Sequence, residues 1–170
     1  AFQKTPSGYD AKVTGINNDA GIKGLQFLID MVQQGIINPN MDYAVSESAF
    51  SKGQVAMTIN GPWSWSNLDK MGLNYGVAVF PTLRGKKGNP FVGILSAGIN
   101  ASSPNSDLAA EFLENYLFTD KNLELMNKDQ PLGAVTLKSY QQTLEQDERI
   151  KATMINAENG EIMPNIPQMT

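Results

Sequence analysis

The 170-residue sequence contains no cysteine and no histidine. Their absence excludes disulfides, thiolate nucleophiles, Ser-His-Asp triads and the usual zinc, haem and blue-copper ligand sets. Any catalysis would therefore have to use carboxylates, lysine, tyrosine or serine.

Positive charge is scarce as well. The chain has 13 lysines and arginines against 17 aspartates and glutamates, which gives a net charge of −4. Because nucleic-acid binding needs clustered lysine and arginine, we expect no nucleic-acid partner.

Long apolar runs are also missing. The longest ones, around residues 75–80 and 91–99, are broken by glycine and fall far short of the ~20 residues of a membrane helix. The chain opens without a basic stretch followed by an apolar one, so we expect no signal peptide. It also lacks an initiator methionine, and we therefore expect a processed product or a piece of a longer chain.

Helical and strand patterns alternate along the chain, which predicts an α/β architecture. Either Asn18 or Asp19 can cap a helix whose apolar residues follow at helical spacing, and Gly35 is placed to end that helix. Alternating apolar residues predict three strands, over residues 54–60, 74–80 and 91–100. The other main helices are predicted over residues 62–70, from Ser103, after Thr119 and over residues 147–158.

Both tryptophans of the chain lie in the segment Asn60-Gly61-Pro62-Trp63-Ser64-Trp65, at the predicted end of a strand and start of a helix. Ligands of open α/β sheets bind outside the carboxyl ends of strands. Two residues apart on a helix, the two indoles point about 200° apart, so one is expected to face a site and the other the core. The alternative is that both are ordinary core or surface aromatics.

Tyr43 and a group of acidic residues can each be interpreted either as part of a functional site or as ordinary structural residues. Tyr43, just before a predicted short helix, is either a site residue or a surface tyrosine whose hydroxyl faces water. Asp107, Glu111 and Glu114 share one helix, where a paired-carboxylate acid/base site is conceivable. Acidic residues in the first turns of a helix more often complement its dipole.

Several segments resemble the periplasmic maltose/maltodextrin-binding proteins, which are the solute-binding proteins of ABC sugar transporters. The similar segments include AMTINGPWSWSN at residues 56–67, FVGILSAGIN at 91–100, EFLENYL at 111–117, PLGAV at 131–135 and GEIMPNIPQM at 160–169. The similarity runs along the whole chain. It implies capture of maltose and linear maltodextrins in the periplasm and their delivery to the membrane subunits of an ABC maltose permease.

The fold implied by the resemblance is α/β, type II-like among periplasmic binding proteins, with two lobes joined by a hinge and a sugar in the cleft. Residues 1–92 and 149–170 would belong to one lobe and residues 93–148 to the other. The chain would be an internal fragment, so each lobe would be incomplete and the missing segments of the same protein would be its partners.

Residue by residue, the resemblance places the stacking tryptophan of the family on Trp63, its cleft tyrosine on Tyr43 and its cleft methionine on Met163. These side chains suit an uncharged sugar, because sugar rings present C–H faces to aromatic planes. This interpretation predicts a binding protein and not an enzyme, without cofactor, metal or catalytic residues. The alternative is a carbohydrate-active glycosidase domain that uses paired carboxylates.

The implied fragment has two expected consequences. With the opposite wall of the cleft missing, the 170-residue chain alone should bind maltose weakly or not at all. The helix that begins near Ser103 should expose Leu108, Phe112 and Tyr116, because the segments that would cover them are missing.

Overall fold

The computed structural model describes residues 2–169. The secondary structure is, in chain order, β1 (Phe2–Thr5), β2 (Gly8–Thr14), α1 (Asp19–Gln33), α2 (Tyr43–Ser51), a 3₁₀ turn (Pro62–Ser64), α3 (Trp65–Lys70), β3 (Phe91–Val92), α4 (Ser106–Phe112), a π-helical turn (Leu113–Leu117), α5 (Asp120–Asp129), α6 (Lys138–Thr143), α7 (Glu148–Glu158), β4 (Glu161–Ile162) and a 3₁₀ turn (Pro167–Met169). The protein thus mixes helices with strands, in agreement with the predicted class.

The described residues form two compact units. The first unit holds the residues up to Thr58 together with those from Met163 onward, and the second is Ile59–Ile162. The lobe boundaries implied by the resemblance, with residues 1–92 and 149–170 in one lobe and residues 93–148 in the other, stay a prediction.

In the first unit, α1 begins and ends where the sequence predicts, and the predicted residues flank it. The Asn18 side chain accepts a hydrogen bond from the Gly21 N–H at 3.0 Å, which caps the first turn. Gly35 follows the helix in the left-handed conformation, with φ 71°, and ends it as glycine commonly does. The pattern of apolar residues therefore identified this helix, and the residues that flank it identified its two ends.

Helix α2 begins earlier than the sequence suggests. The Asp42 carboxylate accepts a hydrogen bond from the Val45 N–H at 2.8 Å, so the helix starts at Tyr43. Tyr43 is consequently the first residue of α2, where the prediction placed it just before the helix.

The three long strands predicted over residues 54–60, 74–80 and 91–100 were mostly wrong. Across residues 2–169 the paired strands are β1 with β2, antiparallel, and β3 with β4, parallel. Of the residues in these three predicted strands, only Phe91–Val92 form a strand. A period of two tells which side chains share a face, but a strand also needs a neighbour for its N–H and C=O groups.

In the segment 78–80 a side chain takes the place of a neighbouring strand. The Phe80 N–H donates to Asn156 Oδ1 at 2.9 Å, and Asn156 Nδ2 donates to the Ala78 carbonyl at 3.2 Å. The segment is therefore fixed to α7 through one amide group, without a β-ladder.

The core of the second unit is formed by side chains of α3, α5, α6 and α7. Its buried apolar side chains are Trp65, Leu68, Leu123, Tyr140, Ile150 and Ala152. Two of these six side chains come from α3, the helix that directly follows Trp63. This helix is thereby held by the core along one face.

Helix α4 leaves its apolar face open, as expected. Leu108, Phe112 and Tyr116 are more than half exposed, and they line a groove of about 600 Å³. The Phe112 and Tyr116 rings stack with centroids 6.4 Å apart.

Among the helices that the structure describes, none is long and apolar enough to cross a membrane.

Candidate functional site

The segment that carries both tryptophans forms a tight turn and then a helix. The Ser64 N–H and the Ser64 hydroxyl both donate to the Gly61 carbonyl, at 3.0 and 2.8 Å. Pro62 occupies the first position of the turn, where the missing N–H of proline costs no hydrogen bond. The helix predicted over residues 62–70 is confirmed, with a 3₁₀ first turn.

One indole is exposed and the other is buried, as predicted. Trp63 is 65% exposed and Trp65 is 4% exposed. An exposed indole offers a large flat apolar face with an N–H donor at its edge. Trp63 is therefore the candidate ligand-contacting residue, and Trp65 belongs to the core.

The exposed indole lies against a glycine. A Cβ atom added to Gly61 would lie 2.2 Å from Cζ3, 2.3 Å from Cη2 and 2.6 Å from Cε3 of Trp63. These distances are far below van der Waals contact, so only glycine fits beneath the ring in this position. The Gly61 N–H donates to Asn60 Oδ1 at 2.9 Å.

A second glycine supports the turn from another part of the chain. A Cβ atom added to Gly133 would lie 2.6 Å from Cγ of Pro62 and 3.0 Å from its Cβ. Gly133 also has a φ of 73°, which favours glycine by itself. Neither glycine contact was predicted from the sequence, although Gly133 lies in one of the segments that carry the resemblance.

The buried indole of Trp65 lies beneath an arginine. The Arg149 guanidinium carbon lies 5.1 Å from the centroid of the Trp65 ring, within cation–π range. Arg149 Nη1 donates to the Asp69 carboxylate at 3.1 Å and to the Tyr75 hydroxyl at 3.0 Å. Arg149 Nη2 lies 3.5 Å from Asp147 Oδ2. We call Trp65, Asp69, Tyr75, Asp147 and Arg149 the Arg149 cluster, and it ties α3 to α7.

The cluster shifts the ionisation of two of its members. Burial, followed by the hydrogen bond that its hydroxyl donates to Asp69, raises the pKa of Tyr75. Burial opposes the charge of Arg149, but hydrogen bonds with Tyr75, Asp69 and Asp147 outweigh it and raise the pKa of this side chain. Arg149 therefore stays charged at any pH at which the protein is folded. Outside the cluster, burial and then the charge of Glu124 raise the pKa of Tyr140.

The two tyrosines predict a loss of stability at alkaline pH. In the unfolded chain a phenol ionises near pH 10, whereas the folded protein keeps Tyr75 and Tyr140 protonated to higher pH. Their contribution to the free energy of unfolding is thus fully present below about pH 10 and lost as the pH rises further. Urea midpoints measured at about pH 8 and about pH 10.5 test this. The double variant Tyr75→Phe/Tyr140→Phe should lose less stability between these two values, and an equal loss would contradict the prediction.

The other two predicted site residues lie in the first unit. Tyr43 begins α2 and is 55% exposed, and Met163 directly follows β4 and is 43% exposed. Trp63 belongs to the second unit. All three side chains are accessible, and their grouping into one site stays a prediction.

The acidic side chains considered for acid/base chemistry are on consecutive turns of one helical segment. Asp107 and Glu111 belong to α4, and Glu114 belongs to the π-helical turn that follows. Within residues 2–169, no three acidic side chains come together in a way that could hold a metal ion.

Comparison with known proteins connects this chain to one family. Residues 1–154 match the family model described as bacterial extracellular solute-binding protein. The chain is 30% identical to a galactooligosaccharide-binding protein of Bacillus subtilis, over 99% of this chain and 41% of that protein. It is 28% identical to a maltooligosaccharide ABC transporter solute-binding lipoprotein of Streptococcus pneumoniae, over 96% of this chain and 40% of that protein.

A maltodextrin-binding protein of Bacillus subtilis is 27% identical, again over 96% of this chain and 40% of that protein. The chain thus spans about two-fifths of the length of these curated relatives. By their names, these relatives bind galactooligosaccharides, maltooligosaccharides or maltodextrins.

Proposed function

The chain belongs to the bacterial extracellular solute-binding protein family, and from this premise we propose that the protein binds maltose and linear maltodextrins for uptake by an ABC permease. In this proposal the protein works in the periplasm, with two lobes and a hinge. Residues 1–92 and 149–170 contribute to one lobe, and residues 93–148 contribute to the other.

The exposed indole of Trp63 is the observation that carries the proposal. It is 65% exposed, although tryptophan is on average among the more buried residues. The ring lies so close over Gly61 that a Cβ atom at that position would be 2.2–2.6 Å from three of its carbons. A flat apolar surface of this kind suits the C–H face of a sugar ring, which needs no charge to bind.

Tyr43 and Met163 complete the proposed contact surface. Tyr43 adds a second aromatic face with a hydroxyl that can exchange hydrogen bonds with sugar hydroxyls. Met163 adds an adaptable apolar side chain of the kind that fills gaps at binding surfaces. These contacts suit a neutral oligosaccharide, so the proposed site uses no cationic side chain.

Two classes of oligosaccharide are supported by relatives. The galactooligosaccharide-binding relative is 30% identical, and the maltooligosaccharide- and maltodextrin-binding relatives are 27–28% identical. We favour the α-glucan ligands because the segments around Trp63 and Met163 resemble the maltodextrin-binding group. A galactooligosaccharide is the alternative ligand for the same site.

Titration of the full-length protein with defined sugars tests the proposal. We expect maltotriose to change the intensity or the emission maximum of the tryptophan fluorescence in a saturable way, since a stacked ring alters the surroundings of Trp63. A β-linked galactotriose should cause no such change at the same concentrations. Calorimetric titration should yield the same affinity. A response to galactotriose alone would reverse the ligand assignment.

The same samples test the glycosidase alternative. Maltotriose incubated with the pure protein should remain intact, with no glucose or maltose released. Persistent cleavage that follows the protein through purification would refute the binding function. If none of the sugars changes the fluorescence or releases heat, the proposed function is wrong.

A further inference from the structure

Two glycines lie against the turn that carries Trp63. Gly61 lies beneath the indole ring, and Gly133 lies against the ring of Pro62, the residue between Gly61 and Trp63. The residues are far apart in sequence, but both belong to the second unit. Two side chains of the turn, Pro62 and Trp63, therefore each lie directly against a glycine.

Position 61 needs a glycine because a side chain there would meet the indole, and not because of its backbone conformation. Its φ of −126° and ψ of 177° are open to any residue. The obstacle to a side chain is the indole itself, whose carbons would lie 2.2–2.6 Å from an added Cβ. Alanine at this position would leave the backbone conformation allowed and would exclude the present position of the ring.

The backbone of this turn has little freedom to yield. The Gly61 carbonyl accepts two hydrogen bonds from Ser64, and the Gly61 N–H donates to the Asn60 side chain. Ser64 is 2% exposed and Trp65 is 4% exposed, so the residues that follow are fixed in the core. An added methyl group at Gly61 is therefore expected to move the exposed ring and leave the turn in place.

Gly133 restricts the other side of the turn. A side chain there would meet the Pro62 ring at 2.6 Å, and Pro62 has the rigid backbone geometry of proline. A displacement of Pro62 passes directly to its neighbour Trp63. Gly133 therefore acts on the indole through Pro62.

We propose that Gly61 and Gly133 are positioning residues that set the direction of the Trp63 indole and, through it, the affinity for the sugar. The second part rests on the proposed function, in which Trp63 stacks on an oligosaccharide. The first part concerns the ligand-free protein and stands without it. Binding contacts need placement to within about 0.5 Å and 10–20° to be effective, so a small rotation of the ring has a large effect.

Fluorine NMR of the full-length protein labelled with 5-fluorotryptophan tests the first part. The resonances of Trp63 and Trp65 are those removed by Trp63→Phe and Trp65→Phe, respectively. Gly61→Ala should shift the Trp63 resonance and leave that of Trp65 in place. Gly133→Ala should also shift the Trp63 resonance, and it decides the question if Gly61→Ala does not fold.

Two other glycines of the second unit provide matched controls. In contrast to Gly61, Gly76 has open space where a Cβ atom would be added. Gly76→Ala therefore adds a methyl group without a clash. Gly72 has a φ of 68° and open space, so Gly72→Ala reproduces the backbone strain of Gly133→Ala without touching Pro62. Both controls should leave the Trp63 resonance unchanged. A resonance that also stays unchanged in Gly61→Ala and Gly133→Ala would overturn the proposal.

Affinity for maltotriose tests the second part. We expect Gly61→Ala to weaken binding about ten- to a hundredfold, within the range for loss of a central aromatic contact, and Gly76→Ala to preserve it. A shifted resonance with unchanged affinity would show that the direction of the ring does not set the affinity. If the unmodified protein binds no sugar, the proposed function fails, while the fluorine spectra still decide the positioning role.

Discussion

Replacing Trp65 by alanine is expected to lower the free energy of unfolding by about 3–5 kcal/mol, the range for loss of a large buried aromatic side chain. Trp65 is 4% exposed and lies among the core side chains of the second unit. The substitution leaves a cavity and also removes the ring beneath Arg149. Urea unfolding followed by far-ultraviolet circular dichroism measures the effect without relying on tryptophan emission.

Trp63→Ala is the matched control for this stability measurement. The two tryptophans are the same residue type, two positions apart on the same turn and helix, and differ in exposure. Because Trp63 is 65% exposed, its removal should change the free energy of unfolding by about 0.5 kcal/mol or less. Similar losses for the two variants would show that the burial difference does not govern their contributions.

Trp63→Ala is expected to have its large effect on sugar affinity. Central aromatic residues of binding sites commonly contribute about 2–4 kcal/mol, which corresponds to a loss of roughly thirty- to several-hundredfold in affinity. Trp63→Tyr should recover part of this loss, because it restores an aromatic face for stacking. Titration calorimetry of the full-length protein with maltotriose provides the dissociation constants.

Trp65→Phe serves as the control for affinity. It keeps an aromatic ring in the core and does not touch the exposed face of the turn, so the affinity for maltotriose should stay close to that of the unmodified protein. If Trp63→Ala binds maltotriose as tightly as the unmodified protein does, Trp63 has no stacking role. The stability and affinity measurements together assign one tryptophan to the core and the other to the ligand.

The sequence predicted the helices better than the strands because helix signals are local. Asn18 and Thr119 each accept a hydrogen bond from a backbone N–H three positions ahead, and Asp147 accepts from Arg149 and Ile150. Residues that cap a helix are neighbours of the residues they stabilise. The ends of α1, α5 and α7 could therefore be predicted from short segments.

The predicted strands failed because pairing is not local. Residues 74–80 have the alternation of a strand, yet the backbone at Ala78 and Phe80 bonds to Asn156, more than 70 positions away. Short-range periodicity contains no information about which distant group will satisfy a backbone donor. The start of α2 was misplaced for a different reason, since the capping role of Asp42 was overlooked.

The candidate site was partly predictable for the same reason. The difference in burial between Trp63 and Trp65 follows from the angle between neighbouring helical residues. The contact between Gly133 and Pro62 and the ion pair between Arg149 and Asp69 join residues about 70–80 positions apart. Glycine in a sequence signals a turn, and only the three-dimensional structure reveals that it makes room for another ring.

The contact of the Trp63 ring with Gly61 has a consequence for the thermodynamics of recognition. A side chain that is mobile in the free protein loses rotamer freedom when a ligand orders it, at a cost of about 0.5–1.5 kcal/mol. In the positioning role proposed for Gly61 and Gly133, the indole of Trp63 has one direction before any ligand arrives, so this entropy would be lost during folding and not during association. A ligand that stacks on such a preorganised ring retains more of the contact energy as net affinity.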